Sequence, residues 1–370
     1  MTTDPDDDLA DLDDLDELDD GDERVGSDTP APRKGNSLKW GLLAVSVLAV
    51  VAIVLVAVVL WGGNPEGGSG SSANPSRDTA AAGVASANDT GPVKVIIDDP
   101  SCAAWTSIAN NLATTLSLLG RGNWVARDQS IPATQWDDEL KKGYMAAGQV
   151  VRSAAAQTVG LVKLTPHRVM RELYEQFIAY ARAFVERVPN YTPADAGLAS
   201  TAYSAASGLH SICTAVANGA AAARGPLVES QPAPTKTAAP GNPTNPQRFL
   251  TSPNAVCTDW AATLNKFGAD TGDWQKSDPS VPSMYWNPEQ RGINLSVAPV
   301  MISYANKLQQ LGRRSSNPVL QDFADLSAQY RRAFALAVPT YATSDNDLAN
   351  AANYVSTTVL GACSAVSPGR

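Results

Sequence analysis

Histidine is scarce in this chain of 370 residues, which contains only His167 and His210. An internal duplication, described below, places Asn317 and Leu360 at the matching positions of the second copy. Neither copy therefore has the spacing of histidine, cysteine and carboxylate residues that binds a transition metal. The motifs G-x-S-x-G, G-x-G-x-x-G and H-E-x-x-H and the phosphate-binding P-loop are absent as well. We therefore expect no catalytic residue, no metal, no cofactor and no enzymatic activity.

Clusters of basic residues are absent too. Residues 1–40 contain fourteen Asp and Glu against four Lys and Arg, a balance of −10. Because the whole chain carries −9, the remaining residues carry +1. The acidity belongs to the amino-terminal tail, and the rest of the chain lacks the basic patch that binds nucleic acid. Nucleic acid is therefore excluded as a partner.

One long apolar run stands out from the otherwise mixed sequence. Residues 41–60 carry no charge and have Ser46 as their one polar side chain, and Trp40 and Trp61 flank them. At about 1.5 Å per residue, a helix of this length reaches roughly 30 Å, the thickness of the hydrocarbon core of a bilayer, and tryptophan favours both interfaces. We interpret residues 39–61 as a transmembrane helix.

The positive charges nearest to this span predict its orientation. Arg33, Lys34 and Lys39 precede it, whereas the first basic residue after it is Arg77. Because cytoplasmic flanks are enriched in Lys and Arg, we expect a single-pass protein of the cell membrane with a cytoplasmic amino terminus and an extracellular carboxyl-terminal part. A cleaved signal peptide is the alternative, but the apolar run is long and no small-x-small cleavage site follows it.

Three segments have the composition of unfolded chain. Residues 1–38 are acidic, with leucine at every third position from Leu9 to Leu18, and predict a disordered cytoplasmic tail that either stays solvated or docks on a basic cytoplasmic partner. Residues 62–92 are rich in Gly, Ser, Ala and Asn and predict a flexible stalk. Residues 219–250 are rich in Ala, Pro and Thr and predict a linker between two folded parts.

The remaining sequence is duplicated with a shift of 150 residues. The first matching block is Gly122-Asn-Trp124-x3-Asp128-x-Ser130-Ile131-Pro132-x3-Trp136, which returns as Gly272-Asp-Trp274-x3-Asp278-x-Ser280-Val281-Pro282-x3-Trp286. The second is Tyr180-x-Arg182-Ala183-Phe184-x3-Val188-Pro189-x-Tyr191, which returns as Tyr330-x-Arg332-Ala333-Phe334-x3-Val338-Pro339-x-Tyr341. We call residues 93–218 copy one and residues 251–366 copy two.

Within each copy, apolar residues recur at spacings of three and four, which predicts buried helix faces. Capping residues followed by proline mark several helix starts. The predicted fold is all-α: a single transmembrane helix followed by two tandem, duplicated four-helix bundles. The predicted helices cover residues 100–119, 135–160, 166–188 and 193–217 in copy one and residues 253–268, 287–312, 318–338 and 344–364 in copy two.

All four cysteines follow the predicted span, on the side of the membrane where disulfides persist. Four cysteines allow three connectivities, and only Cys102–Cys213 with Cys257–Cys363 keeps each bond inside one copy. Each bond would join the first helix of a copy to its last helix. Closing a loop of about 110 residues suggests a few kcal/mol of stabilisation for each bond.

The loop between the first two helices carries the same residues in both copies, namely Trp124, Asp128 and Trp136 and their matches Trp274, Asp278 and Trp286. As a ligand-binding site, these aromatic and acidic side chains can stack on sugar rings or hold an extended ligand. As structural elements, the tryptophans instead plug the end of an alanine-lined bundle, and Asp128 and Ser130 cap backbone amides. The structural interpretation has more weight, because matched aromatic residues at a helix entry are more often core than site.

A second set of matched residues lies on the third helix and just after it, namely Tyr180, Arg182 and Tyr191 and their matches Tyr330, Arg332 and Tyr341. We interpret these residues as structural. The arginines lie two residues after a core tyrosine, where Asp128 and Asp278 can pair with them. Such a pair would fix the long loop onto the third helix, and Asp128→Ala would then destabilise copy one.

An acidic tail, one span and an alanine-rich, disulfide-bonded exterior together resemble uncharacterised single-pass membrane proteins of mycobacteria and related actinobacteria. The resemblance implies an envelope location and no activity. Because two linked copies gain affinity through effective concentration, we expect a non-enzymatic binding or scaffolding module for a cell-wall glycan or a protein partner. The alternative is a sensory or carrier exterior that holds a lipid or small molecule in a cavity between helices.

Overall fold

A computed structural model of the chain describes residues 83–119, 124 and 126–367. The predicted tail, the predicted transmembrane helix and most of the predicted stalk lie outside these residues. No helix within this part of the chain is long and apolar enough to cross a membrane.

The described residues form nine α-helices joined by turns and short 3-10 segments, and they contain no β-strand, which confirms the predicted all-α fold. Copy one contributes α1 to α4, a short helix α5 follows it, and copy two contributes α6 to α9. The helices are α1 Cys102–Leu118, α2 Asp138–Leu164, α3 Arg168–Arg187, α4 Ala196–Ala217, α5 Ala220–Arg224, α6 Cys257–Asp270, α7 Pro288–Arg314, α8 Pro318–Ala337 and α9 Asn346–Val366. The eight predicted helices are all present, with ends that differ by at most four residues.

Local sequence explains where the long helices begin. Asp137 caps α2, where its carboxylate accepts a hydrogen bond from an amide of the first turn at 2.7 Å. Asn287 and Gln290 form a reciprocal capping box at the start of α7. Pro288 and Pro318 stand in first turns, where a missing backbone N–H loses no hydrogen bond.

Two disulfides join the first helix of each copy to the last, and they confirm the predicted pairing. Cys102–Cys213 links α1 to α4, and Cys257–Cys363 links α6 to α9, with Cα–Cα distances of 5.1 and 5.5 Å. The bonded residues are 111 and 106 positions apart in sequence. Loops of this length give each bond a few kcal/mol of stabilisation by restricting the unfolded chain.

The last helices of the two copies, α4 and α9, run antiparallel in close contact. Glycine permits this contact at two positions. A Cβ atom added at Gly197 would lie 2.5 Å from the backbone nitrogen of Ala365, and one added at Gly361 would lie 2.8 Å from that of Thr201. These distances are below van der Waals contact, so a side chain at either position would force the helices apart.

The third helix of each copy is also contacted by the extended segment that leads into the first helix of the other copy. The Tyr180 hydroxyl of copy one donates to the carbonyl of Leu250, which leads into copy two, at 3.2 Å. The matching Tyr330 hydroxyl of copy two donates to the carbonyl of Ile96, which leads into α1 of copy one, at 3.3 Å. All four residues are buried. Because a buried hydroxyl or carbonyl without a partner is costly, these bonds tie each copy to the chain that leads into its neighbour.

The sequence leaves open whether the two bundles pack together, and in the structure they share a core. A continuous cluster of buried apolar side chains includes Trp105 of copy one and Trp260 of copy two. The segment between the copies joins this body too, because Arg224 on α5 forms an ion pair with Asp345 of copy two at 2.9 Å. The duplicated units share one core because the faces that an isolated unit would leave exposed are covered by the other copy.

Gly361→Ala tests the contact between α4 and α9, with Gly160→Ala as its control. Gly160 lies inside α2, and a Cβ atom added there would meet no atom within 4 Å. Alanine at this position should raise the free energy of unfolding by about 0.5–1 kcal/mol, because glycine disfavours helix interiors. The same change at Gly361 should lower it by about 1–3 kcal/mol, because the two helices must separate. Chemical denaturation measures both variants, and a stabilised Gly361→Ala protein would contradict the close contact.

Candidate functional site

The matched tryptophans of copy one close the end of its bundle. Trp124 is buried and meets the Tyr144 ring edge-on at 4.9 Å between centroids, and the Arg127 guanidinium lies 3.9 Å from the centroid of its ring. Trp136 is half-buried and stacks on Tyr144 at 3.9 Å and on Tyr191 at 5.6 Å. The indole rings are thus engaged by the protein itself, which is the arrangement expected of a bundle plug.

Copy two repeats this plug with fewer aromatic contacts. Trp286 stacks on Tyr341 with ring centroids 5.7 Å apart, and Trp274 lies 5.7 Å from Phe334. Asn294 takes the place of the central tyrosine of copy one. Trp274 and Trp286 are both half-buried, whereas in copy one Trp136 is half-buried and Trp124 is buried.

The predicted pairs between the loop aspartates and the third-helix arginines do not form. Asp128 is exposed and accepts a hydrogen bond from the Ser130 amide at 2.8 Å, and Asp278 accepts the same bond from Ser280 at 2.8 Å. Hydrogen bonds from the hydroxyl and the amide of these serines lower the pKa of both carboxyls. Each aspartate therefore closes a local turn, which removes the reason to expect a large effect of Asp128→Ala.

Tyr191 and Tyr341 hold the two loops in place instead. The Tyr191 hydroxyl donates to the carbonyl of Gln129 at 2.9 Å, and the Tyr191 carbonyl accepts a bond from the Ala133 amide at 2.8 Å. Tyr341 makes the matching two bonds in copy two, at 2.6 and 2.9 Å. One tyrosine in each copy thus connects the turn after the third helix to the long loop, without an ion pair.

The matched arginines have different partners in the two copies. Arg182 donates to the backbone carbonyl of Thr244 in the segment between the copies at 2.6 Å. Arg332 donates to three side-chain oxygens instead, those of Gln329, Asn306 and Gln309, at 3.1, 2.7 and 2.6 Å. None of these acceptors is charged, and burial lowers the pKa of Arg332.

Arg332 lines a surface groove of about 540 Å³ between α7, α8 and the segment that follows α5. The groove is lined by Leu227, Val228, Glu229, Gln231, Ile302, Asn306, Gln309, Arg313, Arg332 and Leu336. Leu227 and Leu336 are 59 % and 46 % exposed, which is high for large apolar side chains. Apolar walls with a few fixed polar groups suit this groove to an amphipathic ligand.

Two carboxyl groups at matched positions meet where α3 packs against α8. Glu172 and Asp322 are fully buried and stand 150 residues apart in sequence. Arg168 donates two hydrogen bonds to Asp322 at 2.7 and 3.0 Å, and Arg171 lies 3.4 Å from Glu172. Burial raises the pKa of Glu172 and the charge of Asp322 raises it further, against the opposing effect of the two arginines. The protonated form of Glu172 is favoured, and it can donate a hydrogen bond to Asp322.

Sequence reasoning found neither the groove nor the carboxyl pair. Glu172 and Asp322 match at the same shift as the repeat blocks, so the duplication contained a signal for the pair. The groove has no comparable signal, because its walls come from three segments that meet only in the folded chain.

The fold and these sites define a class of protein: a disulfide-braced, all-helical domain built from two fused copies of one unit. Residues 84–367 match the family described as mycobacterial ESX-1 associated protein, and the chain belongs to this family. It is similar to an uncharacterised protein of Mycolicibacterium smegmatis strain MKD8, with 46 % identity over 348 residues that cover 93 % of this chain and 90 % of the relative. No solved structure matches the chain. The predicted resemblance to uncharacterised mycobacterial proteins is therefore confirmed, whereas the single-pass part of that prediction falls on residues outside the described ones.

Tyr191→Phe and Asp128→Ala separate the two ways of holding the copy-one loop. Removing the Tyr191 hydroxyl leaves the Gln129 carbonyl without its bond and should lower the free energy of unfolding by about 1 kcal/mol. Asp128→Ala removes an exposed, local bond and should change it by no more than about 0.5 kcal/mol. Thermal or chemical denaturation measures both variants. A larger loss of stability for Asp128→Ala than for Tyr191→Phe would contradict this account and support an ion pair at Asp128.

Glu172→Gln tests the protonated carboxyl through the pH dependence of stability. Because the folded pKa of Glu172 lies above its unfolded value of roughly 4.3, the folded chain holds this proton more tightly, and the free energy of unfolding falls as pH rises from the unfolded toward the folded pKa. Glutamine removes this loss, so the stability of the variant relative to wild type should rise with pH, by up to about 1.4 kcal/mol per pH unit in that window. Denaturation between pH 5 and pH 8, with the exposed Glu139→Gln as control, measures the trend. A relative stability that does not change with pH would contradict the assignment.

Proposed function

We propose that this protein is a non-enzymatic binding and scaffolding component of ESX-1 associated secretion. In this proposal residues 39–61 anchor it in the cell membrane, residues 1–38 meet a basic partner in the cytoplasm, and the two-copy domain lies outside. Membership of the ESX-1 associated family is the observation that carries the proposal. The matched residues, 84–367, coincide with the two-copy helical domain, so the binding function is assigned to that domain.

A protein partner is the preferred ligand, because the domain presents large apolar side chains at its surface. Met284 and Tyr285 are 74 % and 69 % exposed on the turn before Trp286, and Leu227 and Leu336 stand in the groove described above. Exposed apolar side chains on a folded domain favour association with another protein. The shared core supports this role as well, since it links the two copies that carry these side chains.

The other two ligand classes have less support. A cell-wall glycan would need free indole faces. In copy one these faces lie against Arg127, Tyr144 and Tyr191, and in copy two Trp286 stacks on Tyr341 and leaves Trp274, which lies 5.7 Å from Phe334, as the least covered ring. A lipid carrier would need an enclosed cavity inside one bundle. The groove at Arg332 opens to the surface, and a second groove of about 260 Å³ lies between α3, α4 and residues such as Arg248 that belong to other segments.

Deletion of the gene in its mycobacterial host tests the proposal. Proteins exported through ESX-1 should disappear from the culture filtrate, and the full chain should restore them. A chain without residues 41–60 should be extracted from membranes by alkaline carbonate and should fail to restore export, because the two-copy domain would lose its anchor. Quantitative mass spectrometry of culture filtrates measures export. Normal export in the deletion strain would contradict the proposed role.

A further inference from the structure

The third helix of each copy binds extended chain through backbone carbonyl groups. In copy one, the donors Arg171, Gln176, Tyr180 and Arg182 on α3 bind the carbonyls of Ala238, Gln247, Leu250 and Thr244. In copy two, Gln329 on α8 donates to the carbonyls of Val93 and Glu229, and Tyr330 donates to that of Ile96. Both helices therefore bind extended segments through backbone carbonyl groups, and Tyr180 and Tyr330 do so at matched positions.

Arg332 on α8 differs from its match on α3, because it does not bind a backbone carbonyl of the described chain. Arg182 of copy one binds the Thr244 carbonyl, and the chain around Thr244 runs along α3. The matching Arg332 donates only to neutral side-chain oxygens, and it lines the groove of about 540 Å³, which has residues 227–231 as another wall. The groove thus contains Arg332, the match of the arginine that binds an extended segment in copy one. Within the described residues, no backbone carbonyl accepts a hydrogen bond from Arg332.

We propose that this groove binds an extended peptide of a partner protein in which an acidic residue stands between apolar side chains. The proposal deepens the binding role proposed above and rests on it. Arg332 donates a hydrogen bond to a carbonyl or carboxylate oxygen of the peptide, as Arg182 donates one to the Thr244 carbonyl. Arg313 provides a second guanidinium for the acidic side chain, and Leu227 and Leu336 contact the apolar ones.

The charges around the groove support an acidic peptide. Arg313 and Arg332 line it against one carboxylate, that of the exposed Glu229. Asp325 lies near Arg332 but does not line the groove, and Gln309 donates a hydrogen bond to its carboxylate at 2.9 Å. Burial raises the pKa of Asp325 to about 6, so its carboxylate is mostly ionised at pH 7 and offsets part of the positive charge of Arg332. The lining itself carries two guanidinium groups against one carboxylate, which favours an acidic segment.

Fluorescence polarisation with a labelled peptide tests the proposal on the purified full chain in detergent. The probe is Pro-Leu-Pro-Asp-Pro-Leu-Pro, which proline holds in an extended conformation. It should bind saturably and weaken with salt, and the same peptide with Lys in place of Asp should not bind. Arg332→Met should weaken binding at least about tenfold, because a charge-assisted hydrogen bond is lost. Arg182→Met, the matched change in copy one, should leave binding unchanged, and circular dichroism checks that both variants fold.

Three results would each overturn the groove assignment. The folded wild-type chain could fail to bind the peptide, wild type and Arg332→Met could bind it equally, or the Asp and Lys peptides could bind equally. Binding to phosphatidylglycerol vesicles that depends on Arg332, without peptide binding, would assign the groove to a lipid surface instead.

Complementation of the deletion strain keeps this proposal separate from the proposed function. We expect the Arg332→Met chain to restore export poorly and the Arg182→Met chain to restore it fully. Full restoration by Arg332→Met, in a strain whose deletion abolishes export, would reject the groove and leave the scaffolding role intact. Arg332-dependent peptide binding together with normal export in the deletion strain would support the groove and reject the role in secretion.

Discussion

The structure depends on two reciprocal contacts, in which the third helix of each copy binds the segment that leads into the first helix of the other copy. We call this arrangement the exchange of segments. Tyr180 and Tyr330 occupy the same position in the repeat, and each buries its hydroxyl against the carbonyl of the segment that leads into the other copy. Neither third helix can keep its polar groups satisfied if the other copy's lead segment is removed. The duplicated sequence therefore specifies one folded body. In that body the segment between the copies is a packed element that helps to hold them together.

Two further contacts make this association specific. Glycine brings the backbones of α4 and α9 together, and the disulfides fix those same helices to the first helix of each copy. Between α3 and α8, Arg168 binds the buried Asp322 beside Glu172. Breaking a buried ion pair leaves an uncompensated charge, so this cluster favours one arrangement of the copies over alternatives that would separate them.

Much of the fold could be predicted from the sequence because it is encoded locally. Apolar residues at helical spacing and proline after a capping residue predict a helix whatever the helix packs against. The repeat predicted the cysteine pairs, because only one connectivity keeps each bond inside one copy. The exchange of segments could not be predicted, since Leu250 and Ile96 are ordinary apolar residues whose partners lie 70 and 234 residues away. The Asp128–Arg182 pair was predicted wrongly, because a backbone amide two residues away is a nearer partner for Asp128 than the third helix is. Ser130 stands two residues after Asp128, the spacing at which an aspartate closes a turn on its own backbone.

The same exchange explains why the copies can differ in function while they share a fold. In copy one the chain between the copies satisfies Arg182, whereas in copy two the matching arginine lines an open groove. The central claim is that the two copies form one cooperative unit, and native-state hydrogen exchange in increasing denaturant tests it most directly. The account predicts that the slowest amides of α3 and α8 exchange through the same global unfolding, with equal free energies. Exchange of one copy at a clearly lower free energy than the other would show that the copies unfold separately and would contradict the account.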